Sequence, residues 1–189
     1  MDNQNSNFNF KVNLKKNFDT GSYTPGASKL KQALWHLTNS IFFKSKLIPF
    51  SSILVCILKI YGAKIGKEVR IKPGFQVKFP WRLVIEDNAW IAECLIENLD
   101  NVTIGANCCI SQQALLITGN HNYKSERFDL IVKPIILKEG SWVGAGSIVC
   151  PGVTLESHAV LTSGSVATEN LEAFSIYQGN PAKKIRNRI

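Results

Sequence analysis

Five aliphatic residues, Leu137, Val143, Val149, Leu155 and Leu161, fall on one six-residue beat. Four places later in each unit stand Ser141, Ser147, Val153, Ala159 and Ser165, all small or β-branched. The place before those is held by Gly140, Gly146, Gly152, His158 and Gly164. Six is neither the 3.6-residue period of a helix nor the two-residue period of a strand. It fits one short strand plus one corner, so three units close a triangular coil, the arrangement of hexapeptide-repeat solenoids. The aliphatic then points inward and stacks on its equivalent one turn on. The corner column supplies the left-handed backbone that a tight turn needs, and histidine is among the residues that tolerate that region. The chain is therefore expected to be mainly β.

The same frame runs upstream with interruptions. Ile65, Ile71 and Val77 are in register, the beat slips at Phe79-Pro80-Trp81, and it resumes at Ile85 and Ile91. It slips again at Asn98-Leu99-Asp100 and resumes at Ile104, Ile110 and Leu116. Insertions in a solenoid map to loops on one face, and the longest is residues 118–133. Ahead of the coils, residues 29–61 read as helical. Leu30, Leu34, Leu37 and Ile41 form one apolar stripe, and Ile53, Leu54, Ile57, Leu58 and Tyr61 a second, with Pro49 between them and Gly62 as a stop. Two roles stay open for these stripes. They cover the open hydrophobic end of the first coil, or they rest on a membrane surface with Lys44 and Lys46 near anionic lipid. The expected division is a lead with capping helices over residues 1–61 and a solenoid over 62–189, carrying the extruded loop and a basic tail.

Composition narrows the partners. With 45% hydrophobic and 19% charged residues the chain is globular rather than disordered. A net charge of +8 points to an anionic partner. No basic–aromatic motif accompanies the charge, so nucleic acid is not expected. The five cysteines, Cys56, Cys94, Cys108, Cys109 and Cys150, are odd in number and contain no CxxC pair, which reads as free thiols in a reducing compartment. Residues 1–26 are polar and Asn-rich, so no secretory leader is expected, and the apolar run near residues 47–58 is too short for a membrane span.

Chemistry concentrates in the long break, which opens Thr118-Gly119-Asn120-His121-Asn122-Tyr123. A neutral imidazole can take a proton from a hydroxyl or amine. His121 stands in a polar loop on an otherwise regular prism, and position alone leaves open a plain surface histidine. His36 lies in the helical stripe and His158 in the corner column, and neither reads as reactive. The three histidines fall in unrelated elements, so a three-histidine zinc site is not expected.

These motifs carry a resemblance. Ala33-Leu34-Trp35, Phe79-Pro80-Trp81, Trp90-Ile91-Ala92-Glu93, the Thr118-Gly119 loop with His121 and Tyr123, Trp142-Val143 and Gly179-Asn180-Pro181-Ala182-Lys183 resemble the hexapeptide-repeat acyltransferases. Among these, the chain is most similar to the colanic-acid-biosynthesis type, relatives of galactoside and maltose O-acetyltransferases. The resemblance implies a left-handed parallel β-helix, an exception to the usual right-handed crossover, with an N-terminal helical segment. It implies acetyl-coenzyme A as co-substrate, no metal, and a homotrimer with each active site between two subunits. The acceptor it implies is a sugar in cell-surface polysaccharide synthesis, lipid- or nucleotide-linked. N-acetylation of an amino sugar, a serine acetyltransferase-like activity and a non-catalytic solenoid stay open. A cytoplasmic location follows, with peripheral contact at the inner membrane face left open.

By the same resemblance His121 is the general base. Trp142, Ala145 and Ser163 match positions along the coenzyme groove, and Thr168 and Lys183 match positions near its phosphates. Glu93, Asn98 and Tyr123 are the acceptor-binding candidates. Two residues depart from the pattern: Glu169 stands where relatives often have Lys, and Asn122 where closer relatives often have Asp.

Overall fold

The computed structural model describes residues 11–14 and 20–189. Residues 1–10 and 15–19, with most of the expected lead, lie outside the described residues. The chain winds a three-sided parallel β-helix of about six turns. The first face stacks Lys64–Ile65, Leu83–Ile85, Val102–Ile104, Ile135–Leu137 and Thr154–Leu155. The second stacks Arg70–Ile71, Trp90–Ile91, Cys109–Ile110, Trp142–Val143, Val160–Leu161 and Ser175–Gly179. The third stacks Gln76–Val77, Leu95–Glu97, Leu115–Ile117, Ile148–Val149 and Val166–Ala167.

The six-residue beat has the meaning read from it. Leu137, Val143, Val149, Leu155 and Leu161 are all fully buried, each against its equivalent in the neighbouring turn. The corner column is left-handed throughout: φ is 66° at Gly140 and 61° at His158. The small column is buried as well, and its serines are satisfied. Ser147 Oγ donates to Thr162 O at 2.9 Å, and Ser165 Oγ accepts from Gly179 N at 3.0 Å. Gly144 is required for a different reason. A Cβ there would lie 2.5 Å from Ser163 N, so adjacent turns could not approach.

The helices differ from the expectation in one respect. α1 (Lys29–Thr38) is capped by Ser28, whose side chain accepts from Lys31 N, and continues with π geometry over Asn39–Lys44. Its apolar stripe Leu30, Leu34, Leu37 and Ile41 faces outward, at 49–70% exposure. The core contact is made by Trp35, 3% exposed, and by Phe43. Trp35 donates from Nε1 to Val77 O at 3.1 Å, and its ring packs 5.4 Å from Phe43 and 4.9 Å from Tyr61. Two aromatics remove so much apolar area from water that they outcompete the aliphatic stripe for the prism surface. α2 (Ser51–Ile60) follows the reading more closely. Leu54 and Leu58 are fully buried, Ile57 and Tyr61 partly, and only Ile53 of that stripe is exposed. One continuous core joins these helices to the coils.

Two segments leave the prism. The break at residues 118–133 forms an antiparallel ribbon, Gly119–His121 against Leu130–Val132. The basic tail is also a hairpin: Ser175–Gly179 turns through a cis Asn180-Pro181 bond into Ala182–Asn187 and ends the second face.

Candidate active site

The ribbon that carries His121 leaves the prism at the edge between the third and first faces, and its base is anchored in the coil. Thr118 is fully buried; its Oγ1 donates to Glu97 O at 3.2 Å and accepts from Asp100 N at 2.9 Å. Gly119 follows because Leu99 lies against it: a Cβ would stand 2.6 Å from Leu99 Cδ1. The tip is braced internally. Asn122 N donates to Asp129 O at 2.8 Å, and Ser125 Oγ donates to Asp129 Oδ2 at 2.6 Å. The lead adds a strut, with Asn13 N donating to Glu126 O at 2.9 Å.

Within this frame the imidazole is fixed on two sides. His121 Nδ1 lies 2.8 Å from Phe128 O, and its ring stacks on the Phe128 ring at 4.4 Å and 10°. A carbonyl oxygen can only accept, so Nδ1 carries the proton and the neutral ring has its lone pair at Nε2. The backbone N–H of His121 is taken up by Asn120 Oδ1 at 2.8 Å. The result is a half-buried histidine with a set tautomer and a set plane.

The other expected residues are distributed around the prism. Trp142 stands half-exposed on the second face and donates from Nε1 to Ser111 Oγ at 2.9 Å. Ala145 and Ser163 stack in adjacent turns at the corner between the second and third faces, where Gly164 N donates to Ala145 O at 2.8 Å. Thr168 is exposed at the next corner. Lys183, in the tail hairpin, brings Nζ to 4.0 Å from Glu169 Oε2, so the residue that departs from the family pattern sits beside the expected phosphate ligand. Tyr123 is exposed at the ribbon tip, and Glu93 is paired with Lys46 at 2.6 Å. Asn98 bridges a corner between adjacent turns. It is 0% exposed, its Oδ1 accepting from Phe79 N and its Nδ2 donating to Phe79 O, both at 2.8 Å.

One chain therefore groups Ala145 with Ser163, and Thr168 and Glu169 with Lys183. It does not bring His121 to Trp142, because the ribbon's edge is opposite the second face in a three-sided coil. Among the described residues, no cluster of three or more His, Cys, Asp or Glu side chains could hold a metal ion.

Comparison with known proteins gives these features a context. No family model matches the chain. A protein named as a colanic acid biosynthesis acetyltransferase, WcaF of Escherichia coli (strain K12), is 33% identical over 165 residues, covering 87% of this chain and 91% of that one. The chain belongs to the hexapeptide-repeat acetyltransferase family. Two solved structures share its fold. The hexapeptide-repeat acetyltransferase VCA0836 of Vibrio cholerae, complexed with acetyl-coenzyme A, superposes with a TM-score of 0.79 at 17% identity, covering 90% of this chain and 94% of that one. A galactoside acetyltransferase in complex with coenzyme A superposes with a TM-score of 0.75 at 20% identity, covering 87% and 84%.

For an acetyltransferase of this family the thiols need an account, since a thiolate could form an acyl-enzyme. Burial pushes Cys94 up to about 12 and raises Cys108, Cys109 and Cys150, so these four are neutral thiols near pH 7. The sequence reading missed one feature of the second face. Trp90 and Trp142 both stand outward there, one on each side of Cys109, and Trp90 with Lys72, Ser111 and Gln112 lines a shallow cleft. The signal was available, since Trp90 and Trp142 each directly precede an inward aliphatic.

Proposed function

We propose that this protein transfers the acetyl group of acetyl-coenzyme A to a hydroxyl of a sugar in a polysaccharide precursor, with His121 as general base. The observation that carries the reading is the Nδ1 contact to Phe128 O, which directs the imidazole lone pair to Nε2. The sugar acceptor is supported by the WcaF relative's name, and the co-substrate by the acetyl-coenzyme A and coenzyme A complexes of the two structural neighbours.

In this reading Nε2 takes the acceptor proton as the hydroxyl oxygen attacks the thioester carbonyl. A C–O bond forms, the carbonyl electrons move to oxygen, and backbone N–H groups along the coil edge stabilise the oxyanion. The C–S bond then breaks, and the departing thiolate takes the proton from the imidazolium. No acyl-enzyme is needed, because a thioester is already activated. Trp142, Ala145 and Ser163 flank the pantetheine arm, Thr168 and Lys183 meet the phosphates, and Glu93 and Tyr123 hold the acceptor.

In this reading the working unit is a homotrimer in which the ribbon of one subunit reaches the wall of the next, and the placement of His121 and Trp142 on opposite sides of one prism supports a site shared between subunits. Within a leading unit of residues 1–61, the helices over residues 29–61 cap the first turn, and residues 62–189 form the transferase unit. Supporting this division, Phe43 packs on Phe75 with ring centroids 6.4 Å apart, and Leu54 and Leu58 are fully buried. The unpaired thiols accord with a cytoplasmic setting. The test is transfer of labelled acetyl from acetyl-coenzyme A to a panel of free, nucleotide-linked and lipid-linked sugars. Label in an ester of any of them supports the reading; label only in amines, or in none, overturns it.

A further inference from the structure

The segment ahead of the coils turns apolar surface away from the protein. Besides Leu30, Leu34, Leu37 and Ile41 on α1, Leu47 and Phe50 in the connection and Ile53 and Ile60 on α2 are exposed. These eight belong to the eighteen exposed large hydrophobics among the described residues, gathered in about a sixth of the chain. An exposed apolar surface of this extent is a contact surface.

Its charge decides which kind. Residues 20–67 contain seven lysines and no aspartate or glutamate, although the chain has 14 acidic residues. Lys46 is spent on Glu93, and Lys31 lies over the Trp81 ring at 5.1 Å. Lys29, Lys44 and Lys59 are exposed beside the apolar residues. A second copy of this surface would set lysine against lysine with no carboxylate to answer. An anionic headgroup layer supplies both the apolar depth and the opposite charge. Among the described residues no helix is long and apolar enough to cross a membrane, so the geometry is that of a helix lying in the interface.

We propose that the outward stripe of α1, continued by Leu47 and Phe50, seats the protein on an anionic bilayer, with Lys29 and Lys44 over lipid phosphates. The inference rests on the orientation and charge of this surface and not on the transferase reading.

The test is sedimentation of the full chain with vesicles of phosphatidylcholine alone and of phosphatidylcholine with phosphatidylglycerol, without acetyl-coenzyme A. The protein is expected to sediment with the anionic vesicles and to remain in solution with the neutral ones. The pair Leu34→Ser and Leu37→Ser should lower partitioning at least about tenfold, from lost apolar burial. Lys29→Gln should lower it about fivefold, the worth of one surface lysine near anionic lipid. Both variants change exposed side chains, so their circular dichroism should match the parent. Wild-type protein that ignores anionic vesicles overturns the proposal, as do variants that sediment like the parent. It is equally overturned if the leucine variants fall to a smaller mass in light scattering while wild-type protein stays off vesicles, since the stripe is then a subunit contact.

Discussion

Asn98→Ala separates a structural residue from a substrate-binding one. The Asn98 amide is fully buried and bonds both backbone groups of Phe79 in the preceding turn, at 2.8 Å each. Removing it leaves the Phe79 N–H without a partner in a dry corner, while Phe79 O keeps its bond from Arg82 N at 3.0 Å. At about 1–3 kcal/mol for an orphaned group, the loss is about 1–3 kcal/mol. Relaxation and water entry favour the lower half. For a chain of this size each kcal/mol moves the melting temperature by about 2–4 °C, so a drop of about 2–8 °C is expected by differential scanning fluorimetry. Below the new transition, the acceptor KM should stay within about twofold of the parent, because no part of the side chain reaches the surface. Glu93→Ala is the contrast, since Glu93 is half-exposed and its ion pair with Lys46 is worth little. A melting temperature within a degree of the parent, combined with a raised acceptor KM for Asn98→Ala, would refute the staple and restore Asn98 to the acceptor site.

Three further outcomes follow from the geometry. Glu169→Lys removes the carboxylate beside Lys183 and should lower the KM for acetyl-coenzyme A several-fold without moving the acceptor KM; a raised coenzyme KM would contradict the phosphate role of Lys183. Burial holds the Cys94 thiol neutral up to about 12. Its stabilisation is complete below the ordinary thiol value of 9.0 and is lost as pH rises towards 12, because the unfolded thiol ionises first. Melting temperature measured from pH 8 to 11 should therefore fall more steeply for the parent than for Cys94→Ala, and equal slopes would contradict this. Mixing His121→Ala with Trp142→Ala subunits by denaturation and renaturation should recover activity that neither variant has alone, because some interfaces then pair an intact ribbon with an intact wall. No recovery, with mixed trimers shown by mass, would place both residues in one subunit's site.

Much of the architecture was legible because each six-residue unit repeats one physical demand: an inward aliphatic, a small neighbour and a left-handed corner. His121 was legible as a polar interruption of that order. What holds it was not, since Phe128 lies seven residues away and contributes a backbone carbonyl that no side-chain pattern encodes. The orientation of α1 was hidden for a different reason. Its aliphatic stripe and its aromatics, Trp35 and Phe43, occupy different sides of the helix, and periodicity cannot say which side meets the core. Asn98 lies at a frame slip, where the beat gives no register and a buried staple reads like a surface polar residue. Trp90 and Trp142 each precede an inward aliphatic, so their shared outward column on the second face was legible from the beat, whereas their place on either side of Cys109 needed the turns to be stacked.

The proposed role of His121, held by Phe128, is to take the acceptor proton. Acetyl transfer by His121→Ala, followed under single-turnover conditions at saturating acetyl-coenzyme A, tests it most directly. The rate should fall about 10²–10⁴-fold, the usual contribution of a positioned general base, with assembly and coenzyme binding unchanged. A variant that transfers acetyl at the parent rate would contradict His121 as the general base.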